Sequence, residues 1–201
     1  MKRHLLSALT LALLGLNCTT AFAGPFGLSK GMTLEQLKKQ GSFTPTKMRF
    51  VYQTKNLAKG HSDFEAYSVL VSPRYGLCKI TAIGNDVVTN AFGNQLEQKF
   101  KDISAALTRR YGDPESQFDF LQKGSIWKDP QDWMMGLLKK ERALSSFWAP
   151  PKNTDLPDSL SVIAVKANAV SPSKGYISLV YEFDNSDECI DSVASAEDAN
   201  L

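Results

Sequence analysis

The chain has 201 residues, of which 43% are hydrophobic and 22% are charged, and its formal net charge is +2. This profile excludes collagen, coiled-coil rods, mucin-like stalks and wholesale disorder, and it leaves one globular domain or two small ones. Domains of about 150 residues bury roughly two-thirds of their unfolded surface, so the chain is long enough for a substantial core without a metal or a dense disulfide framework.

Residues 1–23 have the three parts of a secretory signal peptide. Residues 2–4 are Lys, Arg and His, an apolar run extends from Leu5 to Leu16, and Ala21-Phe22-Ala23 is a small-x-small cleavage site. We therefore expect a periplasmic or secreted bacterial protein whose signal peptide is cleaved after Ala23.

Two other interpretations of this segment remain open. A transmembrane anchor requires about 20 apolar residues, and the run here is shorter and ends at polar Asn17. A lipoprotein would be acylated at Cys18, but Gly15 and Asn17 stand where bacterial lipoboxes have leucine and a small residue. Both departures favour a cleaved signal peptide, which leaves no integral membrane segment.

Cleavage after Ala23 changes the charge balance. It removes two of the 23 basic residues and none of the 21 acidic ones, so the mature chain is neutral. Residues 185–201 contain no Lys or Arg and are expected to form an acidic tail. The remaining body is mildly basic, which fits an ordinary solvated surface and also fits an acidic partner. Nucleic acid is not expected, because no basic cluster is interleaved with aromatic residues.

The cysteines predict one disulfide. Cys18 leaves with the signal peptide, and Cys78 and Cys189 remain in an oxidising compartment, where an even pair usually forms a bond. In the chain-entropy model a bridge across a loop this long stabilises by up to ~4.7 kcal/mol. Two cysteines also lack the ligand set of a structural zinc site, so no metal is expected.

The first predicted element of the mature chain is a short helix. Thr33 caps it, Gln36 completes a capping box, and Gly41 ends it. Three strand-like runs follow at residues 47–55, 64–72 and 77–83, separated by turns that contain Gly60 and Pro73. They predict an antiparallel meander.

A longer helix is predicted over residues 94–111. Its apolar positions recur at intervals of three and four and therefore line one face: Leu96, Phe100, Ile103, Leu107 and Tyr111. Gly112 stops it and Asp113-Pro114 prevents its resumption.

The second half of the chain predicts a further helix and four strands. A short strand is expected at 117–122, and Asp129-Pro130 begins a helix that runs to about residue 144. Strands follow at 145–149, 159–170 and 175–183.

Helices that are segregated from runs of consecutive strands favour an α+β fold with an antiparallel sheet and helices on one face. Residues 24–184 form the predicted domain. It divides into two possible helix-plus-three-strand halves, 24–91 and 92–184, which begin in a similar way with Phe26-Gly27 and Phe92-Gly93.

Gly31-Met32-Thr33 followed by Leu34 and Leu37 resembles the start of the helix-plus-meander modules of small bacterial envelope proteins. These are the outer-membrane assembly lipoproteins of the BamE/SmpA type and the β-lactamase-inhibitor-protein fold. The resemblance covers about 50 residues per half. It implies a non-catalytic module that binds other proteins, and it carries over no site residues.

The sequence selects no catalytic residue. His61 is the one histidine of the mature chain, and its neighbours in Gly60-His61-Ser62-Asp63 are adjacent in sequence and cannot converge as a triad. No phosphate-binding glycine loop, nucleophile elbow, calcium loop or cofactor motif is present. A carboxylate-dependent cell-wall hydrolase remains the alternative, with five equally placed candidate acids: Glu97, Glu115, Asp119, Asp129 and Glu141.

The three tryptophans lie close together in sequence, in and just after the segment 124–135. Trp127 and Lys128 precede the expected helix cap and are the candidate exposed anchors of a binding site, together with Trp133. For Trp133 and Trp148 the favoured interpretation is a core position where the helix crosses the sheet, so truncation of Trp133 should destabilise the fold.

These patterns together predict an exported, non-catalytic binding module. Its expected partner is another envelope protein or a cell-wall component, which it would recognise through the segment 124–135.

Overall fold

The structure, a computed structural model, describes residues 24–198. The predicted signal peptide and its cleavage site therefore lie outside the described residues, as does Cys18. Among the described residues no helix combines the length and hydrophobicity that a membrane crossing needs.

Four α-helices occur in the described part of the chain. They are α1 (Leu34–Lys38), α2 (Asn94–Tyr111), α3 (Trp133–Leu138) and α4 (Ser186–Asp198). The predicted capping box of α1 is confirmed, because Thr33 Oγ1 accepts from the Gln36 N–H and Gln36 Oε1 accepts from the Thr33 N–H. The predicted bounds of α2 are confirmed as well, and its five periodic apolar side chains are all buried.

Nine strands form one antiparallel sheet within residues 24–198. The strands are β1 (Thr44–Pro45), β2 (Val51–Thr54), β3 (Phe64–Ser72), β4 (Gly76–Gly84), β5 (Val87–Val88), β6 (Ser116–Leu121), β7 (Arg142–Trp148), β8 (Leu160–Ser171) and β9 (Lys174–Phe183). The predicted α+β fold class is thereby confirmed.

The strand order is β1-β2-β3-β4-β9-β8-β7-β6, and β5 pairs with β9 beside β4. The two runs of strands meet at the central pair of β4 and β9, where Ile80 faces Tyr181. Each outer end of the sheet is an edge strand, short β1 at one side and six-residue β6 at the other.

Alternation along the strands separates two sheet faces. Along β9 every second side chain is buried, and the register aligns these side chains with buried residues of β3, β4 and β8, such as Val69, Ile80 and Val165. Helix α2 packs against this face through β8 and β9, so we call it the helix face. The opposite side, whose side chains are mostly half-buried or exposed, is the open face.

The predicted disulfide is confirmed, since Cys78 is bonded to Cys189 with a Cα–Cα distance of 6.3 Å. It joins β4 to α4, and the Ser72 and Ser192 hydroxyls are hydrogen-bonded beside it at 3.1 Å. Ser72 and Cys78 stand at the end of β3 and β4 where a register shift separates the Leu70–Lys79 and Val71–Leu77 pairs. Helix α4 packs over this end of the two strands.

One predicted segment requires correction, and another has a helix that the sequence did not predict. Within the expected acidic tail, residues 185–201, the chain is helical over 186–198 and is anchored through buried Cys189. The helix expected from Asp129 to about residue 144 is a turn of 3-10 helix followed by α3, which ends at Leu138, and β7 begins at Arg142. Lys140 has a positive φ of 60°, which reverses the chain between them.

Candidate functional site

The predicted segment 124–135 connects the end of β6 to α3. Lys128 is exposed, but Trp127 is half-buried, and the Gly136 backbone of α3 lies next to its Cβ. The exposed apolar side chain of this segment is Ile126, with 73% of its surface accessible. The expectation that Trp127 is substantially exposed is therefore corrected, because it packs against α3.

Trp133 and Trp148 are core residues. Trp133 is 7% exposed and Trp148 is fully buried, with its indole N–H donating to the Gly112 carbonyl at 2.7 Å. The Trp133 ring lies against Gly93, which has a φ of 77° and whose missing Cβ leaves room for it. Trp133 therefore offers little surface to a partner, and the core interpretation of both residues is the one that the structure supports.

Strand β6, which precedes this segment, has a free backbone edge. Its residues pair only with β7 among the described residues, and four of its six residues are exposed. The Gln122 N–H donates to the Glu141 carbonyl, so even-numbered positions bond to β7 and the backbone groups of Gln117, Asp119 and Leu121 point outward. Such an edge is a template for an additional strand.

Beside this edge, the open face carries three phenylalanines. Phe118 and Phe120 of β6 are 42% and 49% exposed, and the Phe118 ring lies 5.8 Å from that of Phe147 on β7. The Lys166 ammonium is 5.4 Å from the centre of the Phe147 ring. These side chains line a groove of about 700 Å³ that continues to Tyr176 on β9.

A second groove, of about 800 Å³, lies on the other side of β6, between the strand and α2. Ser104 of α2 and Ser146 of β7 line it, and Ser146 is 1% exposed. Neither hydroxyl has a hydrogen-bond partner among the described residues. Both hydroxyl oxygens have almost no accessible surface, so they lie beneath the groove rather than on its surface.

The surroundings of β6 are basic. Lys140, Arg142 and Lys166 line the groove on the open face, which has no acidic lining residue. Lys101 and Arg109 line the groove beside α2. Asp119 is the one acidic side chain of the two grooves, and Arg142 binds it at 3.1 Å. The region therefore has an excess of positive charge.

Of the five acids proposed for a hydrolase, only Asp119 lines either of these two grooves. Glu115 accepts a hydrogen bond from the Lys152 N–H, and Glu97 lies 3.8 Å from the Lys101 ammonium. Within residues 24–198, no three His, Cys, Asp or Glu side chains are grouped as metal ligands.

The exposed phenylalanines are the part of the site that the sequence reading missed. The signal was present as the alternation Phe118-Asp119-Phe120, which sends both rings to the same side of a strand. That this side faces solvent depends on the sheet order, which local patterns do not contain.

Comparisons of the chain with protein-family models, with curated proteins and with solved structures gave no match.

Proposed function

We propose that the chain is an exported, non-catalytic binding module that pairs the free edge of β6 with an extended, acidic segment of a partner protein of the cell envelope. The observation that carries this proposal is the combination, on one edge strand, of outward backbone groups with two exposed phenylalanines. Strand addition supplies main-chain hydrogen bonds, and side-chain pockets on either side of the added strand supply specificity.

Both flanking grooves fit this mode of binding. Alternate side chains of an added strand point to opposite sheet faces, so one set contacts Phe118 and Phe120 and the other contacts the groove between β6 and α2. The five basic residues around β6 favour a partner segment that contains Asp or Glu. Lys128, exposed in the following segment, adds to the same charge.

A proline substitution tests the strand-addition mode with little effect on the fold. Gln117 directs its N–H away from β7, so Gln117→Pro removes a free donor and leaves the intramolecular ladder in place. Gln117→Ala is the matched control, because it removes the same side chain and keeps the N–H.

The partner is captured with mature protein that carries the photocrosslinker p-benzoylphenylalanine in place of Phe120, and the crosslinked peptide is sequenced from envelope extract. We expect an acidic peptide, captured equally by the Gln117→Ala background and at least ten-fold less by Gln117→Pro. Equal capture by the proline and alanine backgrounds, or a crosslinked peptide that is basic or helical in its own protein, contradicts strand addition at β6.

A further inference from the structure

A separate cavity lies on the helix face, far along the sheet from β6. It has a volume of about 470 Å³ and is enclosed by the turn at Pro25–Gly27, the turn at residues 59–63 and the second half of α2. Volumes of this size accommodate small organic ligands. The function proposed above makes no use of it.

The wall of this cavity is aromatic. The Phe26 ring makes edge-to-face contacts with Phe64, Tyr67 and Tyr181, at centroid distances of 5.7, 4.8 and 5.8 Å. Phe26 has φ 56° and ψ 22°, a left-handed conformation that is unfavourable for a bulky residue. The turn holds Phe26 in this conformation, because the Gly27 N–H bonds to the Gly24 carbonyl and the Leu28 N–H to the Pro25 carbonyl. Strain of this kind clusters at ligand sites.

His61 lies in the turn that borders the same cavity. The Tyr67 hydroxyl accepts from the His61 backbone N–H at 2.7 Å and fixes the turn. The His61 Nδ1 accepts from the Asp63 N–H at 3.2 Å, so the neutral ring carries its proton on Nε2. His61 therefore offers an N–H group and no free ring acceptor.

The two carboxylates of the lining are bound by side chains of this protein, whereas two basic side chains keep hydrogen-bond donors available. Asp63 binds the Lys99 ammonium at 3.0 Å, and Asp102 accepts from the Gln98 amide at 2.9 Å. Lys59 has no ion-pair partner among the described residues, and its aliphatic stem packs over Gly27. Arg110 contacts Asp158 loosely, at 3.5 Å, and keeps donors available.

The Tyr111 hydroxyl is not a free donor of this cavity. Tyr111 is 8% exposed and lines the cavity next to Tyr181, but its hydroxyl oxygen has almost no accessible surface. The Tyr181 hydroxyl and the Arg110 side chain are its polar neighbours. Burial raises the pKa of Tyr111, so the side chain stays neutral and adds aromatic surface to the wall.

We propose that this cavity binds a small carboxylic acid with an aromatic body. The ring packs against Phe26, Phe64 and Tyr181, and the carboxylate accepts from Lys59 and Arg110. An anion fits better than a cation because these two lining cations keep donors available, whereas the Lys99 ammonium neutralises the Asp63 carboxylate.

Three probes that share one ring and chain length separate charge from hydrophobic contact. They are 3-phenylpropionate, 3-phenylpropanamide and 3-phenylpropylamine, titrated into the mature protein by isothermal calorimetry. We expect the carboxylate to bind at least ten-fold more tightly than the amide, and the amine to bind most weakly. Equal affinities, preference for the amine, or no binding of the carboxylate at millimolar concentration overturns the proposal.

Lys59→Gln separates a ligand contact from a structural role. Lys59 lines the cavity and has no ion-pair partner among the described residues, so thermal stability stays unchanged, whereas affinity for 3-phenylpropionate falls at least five-fold. Lys128→Gln, at an exposed lysine outside the cavity, is the matched control and leaves the affinity unchanged. Unchanged affinity in Lys59→Gln, or an equal loss in both variants, contradicts the assigned contacts.

Discussion

At the scale of single residues, the surroundings of Trp133 and Trp127 differ although the two residues are close in sequence. Trp133, the first residue of α3, is buried against Gly93 at the start of α2, with the Arg142 guanidinium 5.8 Å from its ring centre. Trp127 is half-buried in an irregular segment. The sequence placed both in one candidate binding patch, but it also favoured a core position for Trp133, which the structure shows, and an exposed position for Trp127, which the structure does not show.

We therefore expect Trp133→Ala to lower the free energy of unfolding by about 3–5 kcal/mol, as for other large aromatic side chains removed from a core. Trp127→Ala removes less buried surface and should cost a smaller amount. Urea denaturation of the purified variants, followed by circular dichroism, measures both. Similar losses for the two variants would mean that Trp127 belongs to the core as fully as Trp133 does.

At the scale of secondary structure, the sequence predicted those elements whose bounds are determined by residues close together in the chain. The bounds of α2 were predictable because its own periodicity and Gly112 specify them. The end of α3 was not, since Leu137, Leu138 and Leu144 continue an apolar pattern across the reversal at Lys140, where no Gly or Pro marks the turn. Helix α4 escaped prediction because a disulfide, rather than a broad apolar stripe, anchors it.

The disulfide should therefore control the attachment of α4. Helix α4 contacts the sheet through β3 and β4, close to the Cys78–Cys189 bond. The Cys78→Ser, Cys189→Ser double variant should lose up to about 4–5 kcal/mol of stability, the value for a closed loop of roughly 100 residues, and amide exchange in residues 186–198 should accelerate.

Hydrogen exchange with mass spectrometry and urea denaturation measure these two effects. Wild-type protein kept in reductant is the control and should behave like the double variant. An oxidised wild type and a double variant with the same unfolding midpoint and the same exchange in α4 would show that the other contacts, such as Ser72 with Ser192, suffice to hold the helix.

At the scale of the whole molecule, the amino terminus of the fold limits where processing can occur. Gly24 is buried, its carbonyl accepts from the Gly27 N–H, and a Cβ at this position would meet the Leu28 carbonyl oxygen. This turn holds Phe26 against Tyr181. A cut after Ala23 leaves the turn complete, whereas a cut two or three residues later removes it.

We expect the secreted or periplasmic product to begin at Gly24 and to contain no free thiol, because Cys78 and Cys189 are bonded to each other. Intact-mass spectrometry with and without reduction and alkylation measures both properties. Ala23→Asp is the control: it places a charge at the small-x-small site and should leave the unprocessed mass. A diacylglycerol adduct on Cys18, or a wild-type mass that retains residues 1–23, would contradict cleavage after Ala23. Either result would indicate a lipid or peptide anchor, and the β6 edge would then act at a membrane surface.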